Sequence, residues 1–254
     1  MQAAASPLHP LATSFAEVAD VYERGRPEYP PAAIGALSAE LGLAPGARVL
    51  DLAAGTGKLT RALVAAGLDV VAVEPQQPLR EKLIAQFGEQ RALRGQAEAI
   101  PLSDQSVDAV TVADAFHWFD QPAALAEIHR VLRPDGGLVV LITLPDWSGA
   151  SWAREVGELL RSSRPEHPQF EGPPWQQSVR ASGAWTEPRE VRVTAPQPAS
   201  PERLRDHVAS FSWIAGMAEP QREQMLARVE GLMRAGETPA ELPFHVVLGL
   251  TAPR

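Results

Sequence analysis

A chain of 254 residues, 45% hydrophobic and 21% charged, carries enough apolar material for a sizeable buried core, and its length fits one α/β domain with an insertion. Its 31 acidic and 23 basic residues leave a net charge of -8, which repels phosphate backbones, and no local basic patch restores a nucleic-acid partner. The absence of cysteine excludes disulfides, thiolate zinc sites and cysteine nucleophiles and fits a reducing compartment, while no two of the six histidines have the spacing of a helical metal site.

Residues 1–11 lack the basic and apolar regions of a signal peptide, and no apolar run approaches the ~18 residues of a membrane span, so a soluble, cytoplasmic protein without a membrane partner is expected. Phe15, Val18, Ala19 and Tyr22 recur at helical spacing behind Ser14, which predicts a short amphipathic helix over 14–22. A second helix is predicted over 31–41, with proline in its first turn and Gly42 at its end. After Pro45-Gly46 short apolar runs alternate with helical stretches, at 48–53, 59–66, 70–73, 79–87, 92–94, 109–113, 123–132 and 138–144. Strands that are apolar throughout, separated by helices, predict a parallel sheet covered on both faces and doubly wound, with ligands at the carboxyl ends of the strands. Beyond Pro145 the rhythm breaks. A helix is predicted over 152–161, an irregular surface segment over 164–175 with its four prolines, a strand over 190–194, helices over 201–214 and 220–234, and a last strand over 244–250. There is no internal repeat and no low-complexity tract.

The most informative segment is Val49-Leu50-Asp51-Leu52-Ala53-Ala54-Gly55-Thr56-Gly57-Lys58-Leu59-Thr60. A buried strand runs into a glycine turn that opens a helix, which lets backbone amides approach a ligand. A dinucleotide fingerprint needs a third glycine where Thr60 stands, and a carboxylate at Asp51 suits a cationic or hydrogen-bond-donating ligand better than pyrophosphate. A P-loop fails as well, because the frame ending at Gly57-Lys58 begins with Leu52 and finishes with Leu59. S-Adenosylmethionine, with its ammonium, sulfonium, ribose diol and adenine, is better served by an acidic strand end beside a glycine loop. Glu74 ends the strand over 70–73, where an acid can accept both hydrogens of a ribose diol. Nicotinamide-dependent proteins share that last feature, so Glu74 points to adenosine without choosing among its carriers.

The glycine loop resembles motif I of the class I S-adenosylmethionine-dependent methyltransferases, whose common D-x-G-x-G-x-G run has Ala53 here in place of its first glycine while Gly55 and Gly57 stand. Gly95-Gln96-Ala97-Glu98-Ala99-Ile100-Pro101-Leu102, followed by Ser106-Val107-Asp108, resembles that family's G-x-A-E-x-L-P-F and S-F-D segments; the resemblance implies that Ala97 and Glu98 lie against adenine. Asp114-Ala115-Phe116-His117-Trp118-Phe119-Asp120 and Leu132-Arg133-Pro134-Asp135-Gly136-Gly137 follow in the family's order. The run Tyr22 to Pro30 is similar to the lead-in of a small-molecule branch, that of the trans-aconitate methyltransferase-like and ubiquinone-biosynthesis-like enzymes. The resemblance is firm over 15–144 and thin beyond. It implies a Rossmann-like seven-stranded sheet, mostly parallel with an antiparallel last strand; a single methyltransferase domain with a helical lead-in over 1–44, a cofactor-binding core over 45–144 and a substrate-covering segment over 145–254; and S-adenosylhomocysteine as product.

Cofactor contact is expected of Tyr22, Arg26, Asp51, Ala53, Gly55, Gly57, Glu74, Ala97, Glu98 and Asp114. Tyr22 and Arg26 have a second reading as core, Glu98 as a solvated loop residue, and Asp114 as a turn cap. His117 is either a general base, a ligand of a substrate carboxylate, or a packing histidine among aromatics. The [ND]-P-P-[YF] run of adenine-N and glutamine-N methyltransferases is absent; the branch resemblance and the acidic charge imply a small-molecule acceptor, with oxygen, carbon and nitrogen all open. Phe211, Trp213 and Trp185 either lid the substrate or pack helix to sheet. A nicotinamide-dependent oxidoreductase and a non-catalytic S-adenosylmethionine-binding protein stay open as alternatives, and the oligomeric state is not legible.

Overall fold

The computed structural model describes residues 9–16, 19–236 and 240–254. Its strands are β1 (Arg48–Leu52), β2 (Asp69–Val73), β3 (Ala92–Leu93), β4 (Val107–Ala113), β5 (Leu132–Pro145), β6 (Arg189–Thr194), β7 (Gln197–Pro198), β8 (Glu241–Leu242) and β9 (Phe244–Thr251). Seven of them form one sheet in the order β3-β2-β1-β4-β5-β9-β6, parallel from β3 to β5, with β9 antiparallel to both of its neighbours; β7 and β8 pair separately. The inserted antiparallel last strand and the doubly wound order agree with the expected fold class.

The helices are α1 (Pro10–Thr13), α2 (Ala19–Gly25), α3 (Pro31–Leu41), α4 (Lys58–Ala65), α5 (Gln77–Phe87), α6 (Gln121–Val131), α7 (Ser151–Ser163), α8 (Pro168–Glu171), α9 (Trp175–Ser182), α10 (Pro201–Ala209), α11 (Ser212–Ala215) and α12 (Glu219–Ala235). Side chains alternate across a strand, so Val49 of β1 joins one core with Ile34 and Leu37 of α3, Leu63 of α4 and Val156 of α7, whereas Leu50 and Leu52 join the other with Leu125 and Ile128 of α6 and Val179 of α9. Burial on both faces is the reason these strands read as unbroken apolar runs.

The Leu132-to-Gly137 motif has a structural use. Val107 pairs with Leu132 and Ala109 with Gly137, so residues 133–136 bulge out opposite Asp108 alone. The bulge is pinned by an ion pair between Arg133 and Asp108, whose second oxygen accepts a bond from the Arg48 amide at 2.7 Å.

Several expectations need correction. The helix expected over 14–22 is a 3-10 turn, Ser14–Ala16, and the separate α2; Glu17 and Val18 lie outside the described residues, as does 1–8 of the segment read for a signal peptide. The segment over 164–175 is less irregular than its prolines imply, because prolines can open helices. His167 caps α8 by accepting from the Gln169 amide, and Pro173-Pro174 leads directly into α9, which buries Trp175 and Val179 one turn apart. The helical stretch over 201–214 is broken at Ser210, whose hydroxyl donates to the His207 carbonyl at 2.6 Å and competes with the helix ladder.

Candidate active site

The chain reverses after β1 through left-handed backbone at Ala53 (φ 58°), Gly55 (φ 61°) and Gly57 (φ 91°). Gly57 must lack a side chain for a second reason: a Cβ there would stand 2.7 Å from Leu83 and 2.8 Å from Phe87 of α5. Its role is to let α5 pack beneath the loop, and it does not face the large cavity. Asp51 is likewise beneath the loop. Fully buried, it accepts from the Thr60 hydroxyl at 2.6 Å and from Thr111 at 3.4 Å, tying β1 to α4 and β4. Burial pushes its carboxyl up to about 6 against these bonds.

Glu74 follows β2 and is 3% exposed. One of its oxygens accepts from the Gly55 amide and the other from the Gln76 amide, each at 2.9 Å. Arg80 closes the turn by donating to the carbonyls of Glu74 and Pro75 at 3.0 Å. Burial pushes the Glu74 carboxyl up to about 7, opposed by the two amides and by Arg80.

Glu74 opens into a cavity of about 270 Å³ at the carboxyl ends of the parallel strands. Of the expected contacts, Tyr22, Arg26, Ala53, Gly55, Glu74, Ala97, Glu98 and Asp114 line it, whereas Asp51 lines only a small adjoining space of about 30 Å³. Glu98 is not simply solvated, since it accepts from the Asp120 amide at 2.8 Å and so fixes the turn that opens α6. Asp114 sits at φ 49° and accepts from the Thr143 amide at 2.9 Å; burial raises its carboxyl, and the charge of Arg26 opposes that.

Tyr22 and Arg26 are brought over the cavity by α2, and the surrounding residues explain the Tyr22-to-Pro30 motif. Glu28 holds Lys58 at 2.5 Å and Glu23 holds Arg61 at 3.0 Å, both cations belonging to the helix after the glycine loop. On the other side, Arg24 pairs with Asp206 at 2.9 Å, and the carbonyl of Gly25 lies 3.1 Å from His207 Nδ1. The motif therefore clamps α2 between α4 and α10. Arg26 donates to the Ser210 carbonyl at 3.1 Å and lies between the Tyr22 and Phe211 rings.

A second cavity, of about 280 Å³, adjoins the first, and Phe15, Arg26, Asp114 and Trp118 line both. His117 faces this second cavity and not the first. Its ring lies 5.4 Å from that of His167, and burial, followed by the His167 charge, pushes it down to about 3. His167 is pushed down to about 4 by burial and Arg164. His167 Nδ1 accepts from the Gln169 amide, so its proton is on Nε2 and points at the Ser212 hydroxyl 2.9 Å away. This tautomer cannot take a proton from Ser212, so the pair is no activated-serine dyad. Phe211 and Trp213 line the second cavity, whereas Trp185 is buried against His129.

Trp118 and Phe119, read from the sequence as pocket walls, do line the first cavity; sequence reasoning missed Gln76 and Asp120 there and Arg161, Arg164, His167 and Phe170 in the second. Asp120 carried a readable signal, an aspartate followed by Gln121-Pro122 as a helix start, and its side chain does accept from the Ala123 amide. Gln76 stands two residues after Glu74, and the residues of the second cavity are joined to the site by long-range folding.

The raised Glu74 carboxyl has a consequence for stability. Between about 4.5, where a glutamate ionises in the unfolded chain, and about 7, the folded protein holds a proton at Glu74 that the unfolded chain has lost, so this group's contribution falls as pH rises through that window and is level above it. The wild type should thus lose up to about 3 kcal/mol relative to Glu74→Gln between pH ~4.5 and ~7.5. Paired denaturation curves measure it, and a constant difference would refute the assignment.

Among the described residues no helix is long and apolar enough to cross a membrane, and no group of three or more histidine or acidic side chains could hold a metal ion. The family described as Methyltransferase domain matches residues 50–140, the stretch that supplies Glu74, Ala97, Asp114 and His117. An uncharacterized methyltransferase of Mycobacterium tuberculosis is 41% identical over 223 residues, spanning 88% of this chain and 86% of the relative. Among solved structures, a putative type II methyltransferase from Anaeromyxobacter dehalogenans shares the fold at a TM-score of 0.58 and 23% identity, over 90% of this chain and 97% of that one. Phosphoethanolamine N-methyltransferase 2 of Haemonchus contortus, in complex with phosphomonomethylethanolamine and S-adenosylhomocysteine, aligns at a TM-score of 0.55 and 13% identity, over 96% of this chain and 58% of that one. With the sheet order, the loop after β1 and a relative matched nearly end to end all in agreement, the chain belongs to the class I methyltransferase family.

Proposed function

We propose that the protein transfers a methyl group from S-adenosylmethionine to a small-molecule acceptor, with the cofactor in the first cavity and the acceptor in the second. The observation that carries this reading is Glu74, a buried carboxylate whose two oxygens are each fixed by one backbone amide and which lines a cavity of about 270 Å³. Each oxygen keeps a lone pair, so the group suits the two hydroxyls of a ribose. Ala97 is small and buried in the same wall, which suits the flat face of adenine, and Arg26 supplies a cation for an amino-acid carboxylate. The Haemonchus contortus neighbour, in complex with S-adenosylhomocysteine, supports the same ligand class.

When bound, S-adenosylmethionine supplies a methyl group already activated on a sulfonium. The chain then has to align the acceptor and exclude water, which the shared wall of Phe15 and Trp118 can do. His117, held neutral by burial, presents an imidazole nitrogen that can accept a hydrogen bond from an acceptor hydroxyl or amine; Asp114, from the same turn after β4, can do the same. Residues 45–144 would hold the cofactor, and 145–254, with the lead-in over 1–44, would cover the acceptor.

Calorimetric titration with S-adenosylmethionine and S-adenosylhomocysteine tests the cofactor. Micromolar binding of both, with release of protons below pH ~7 as Glu74 is drawn into its ionised form, is the expected result. Binding of NADH in their place would return the nicotinamide-dependent reading, and tight cofactor binding without methyl transfer to any acceptor would favour a non-catalytic role.

A further inference from the structure

We propose that the second cavity takes a hydrophobic acceptor bearing one carboxylate, with Arg161 as its counter-ion; the inference rests on the methyltransferase reading only in calling the occupant an acceptor. The protein as a whole is acidic, at -8, yet the ionic groups lining this cavity are Arg26, Arg161, Arg164 and a single carboxylate, Asp114. The charges can be matched in pairs. Arg26 and Asp114 act on each other electrostatically. Arg164 is bound to Glu171 at 2.7 Å and lies 3.8 Å from the centre of the Phe170 ring. His117 and His167 are both pushed far below neutrality and add no charge. Arg161 remains, exposed at the end of α7 with no ion pair among the described residues. One surplus cation at the exposed rim of the cavity favours one anionic group on the occupant and repels a cationic amine.

The rest of the wall sets the occupant's body. Phe15, Trp118, Trp147, Leu160, Phe211 and Trp213 give it an apolar, largely aromatic lining. The large hydrophobic residues left exposed among those described are Leu144 and Phe170, and both belong to this same cavity. Scattered exposed apolar side chains need no explanation, but two of them at one cavity beside an unpaired arginine describe a mouth that accepts an apolar body with a charged end.

The test uses the full chain saturated with S-adenosylhomocysteine and three matched probes: 2-naphthoate, 2-naphthamide and 2-naphthylmethylammonium, with decanoate as an acid of different shape. One acid should bind at least about tenfold more tightly than the amide, the ammonium should bind least, and Arg161→Gln should bring the acid to the amide's level while S-adenosylhomocysteine affinity is unchanged. An amide that matches the acid, an acid preference that survives Arg161→Gln, or no binding of either acid would overturn the proposal. The acid titrations are repeated without S-adenosylhomocysteine. A protein that keeps the Arg161-dependent acid preference but fails to bind S-adenosylhomocysteine would overturn the cofactor reading and leave the second cavity's specificity standing.

Discussion

Glu74→Gln should weaken S-adenosylhomocysteine binding at least about 100-fold and change the melting temperature at pH ~7.5 by only a few degrees. The substitution keeps the volume of the side chain and replaces one acceptor oxygen by an NH₂ group. Whichever way the amide turns, that NH₂ faces either the Gly55 or the Gln76 amide, donor against donor, and the negative charge that a diol would bind is gone. Two charge-assisted bonds at roughly 1.5–3 kcal/mol each account for a loss of two or more decades. Stability is spared because the wild type already bears the cost of a desolvated carboxylate, which the neutral amide relieves. Titration calorimetry beside a thermal melt separates the two effects. Affinity within about tenfold of wild type would remove Glu74 from the ribose site.

Gly25→Ala gives an equally sharp test because two ordinary rules predict opposite signs. Gly25 is the last residue of α2 and has no positive φ, and in helical backbone alanine is favoured over glycine by up to about 1 kcal/mol, so propensity alone predicts stabilisation. The structure predicts the reverse. A Cβ at residue 25 would lie 2.1 Å from the Asp206 carbonyl oxygen and 2.4 Å from its carbon, backbone atoms that cannot turn aside. Helix α2 would have to lift from α10, straining the contact of the Gly25 carbonyl with His207 and the Arg24–Asp206 pair. A loss of roughly 2–4 kcal/mol is expected. Because α2 also places Tyr22 at the first cavity and the following Arg26 at both, affinity for S-adenosylhomocysteine should fall as well. An unchanged or raised melting temperature would show that α2 and α10 are not so closely packed.

The sheet and the first cavity were readable because their signals are local. Each buried strand is an apolar run of a few residues, and the turns after β1, β2 and β4 place acids or glycines within a residue or two of a strand end. Even there, type and position did not fix orientation: Asp51 and Gly57 belong to the loop motif but point into the packing behind it, toward Thr60 and α5. The second cavity was largely illegible, since Phe15, His117, Arg161, His167 and Trp213 come from five separate segments. Prolines added to the difficulty. Those at 168 and 174 were read as interruptions, yet they sit at the starts of α8 and α9.

The position of β9 within the sheet also bears on how the protein is made. Strand β6 meets no strand but β9 among the described residues, and β9 covers the free side of β5 from Leu138 to Pro145. A nascent chain that has passed β6 but not yet reached Phe244 therefore carries an open edge on β5 and an unpaired β6. Unpaired apolar edges recruit strands from other molecules. The hazardous species is therefore any chain that stops short of Phe244, in which β5 and β6 have both lost the neighbour they share.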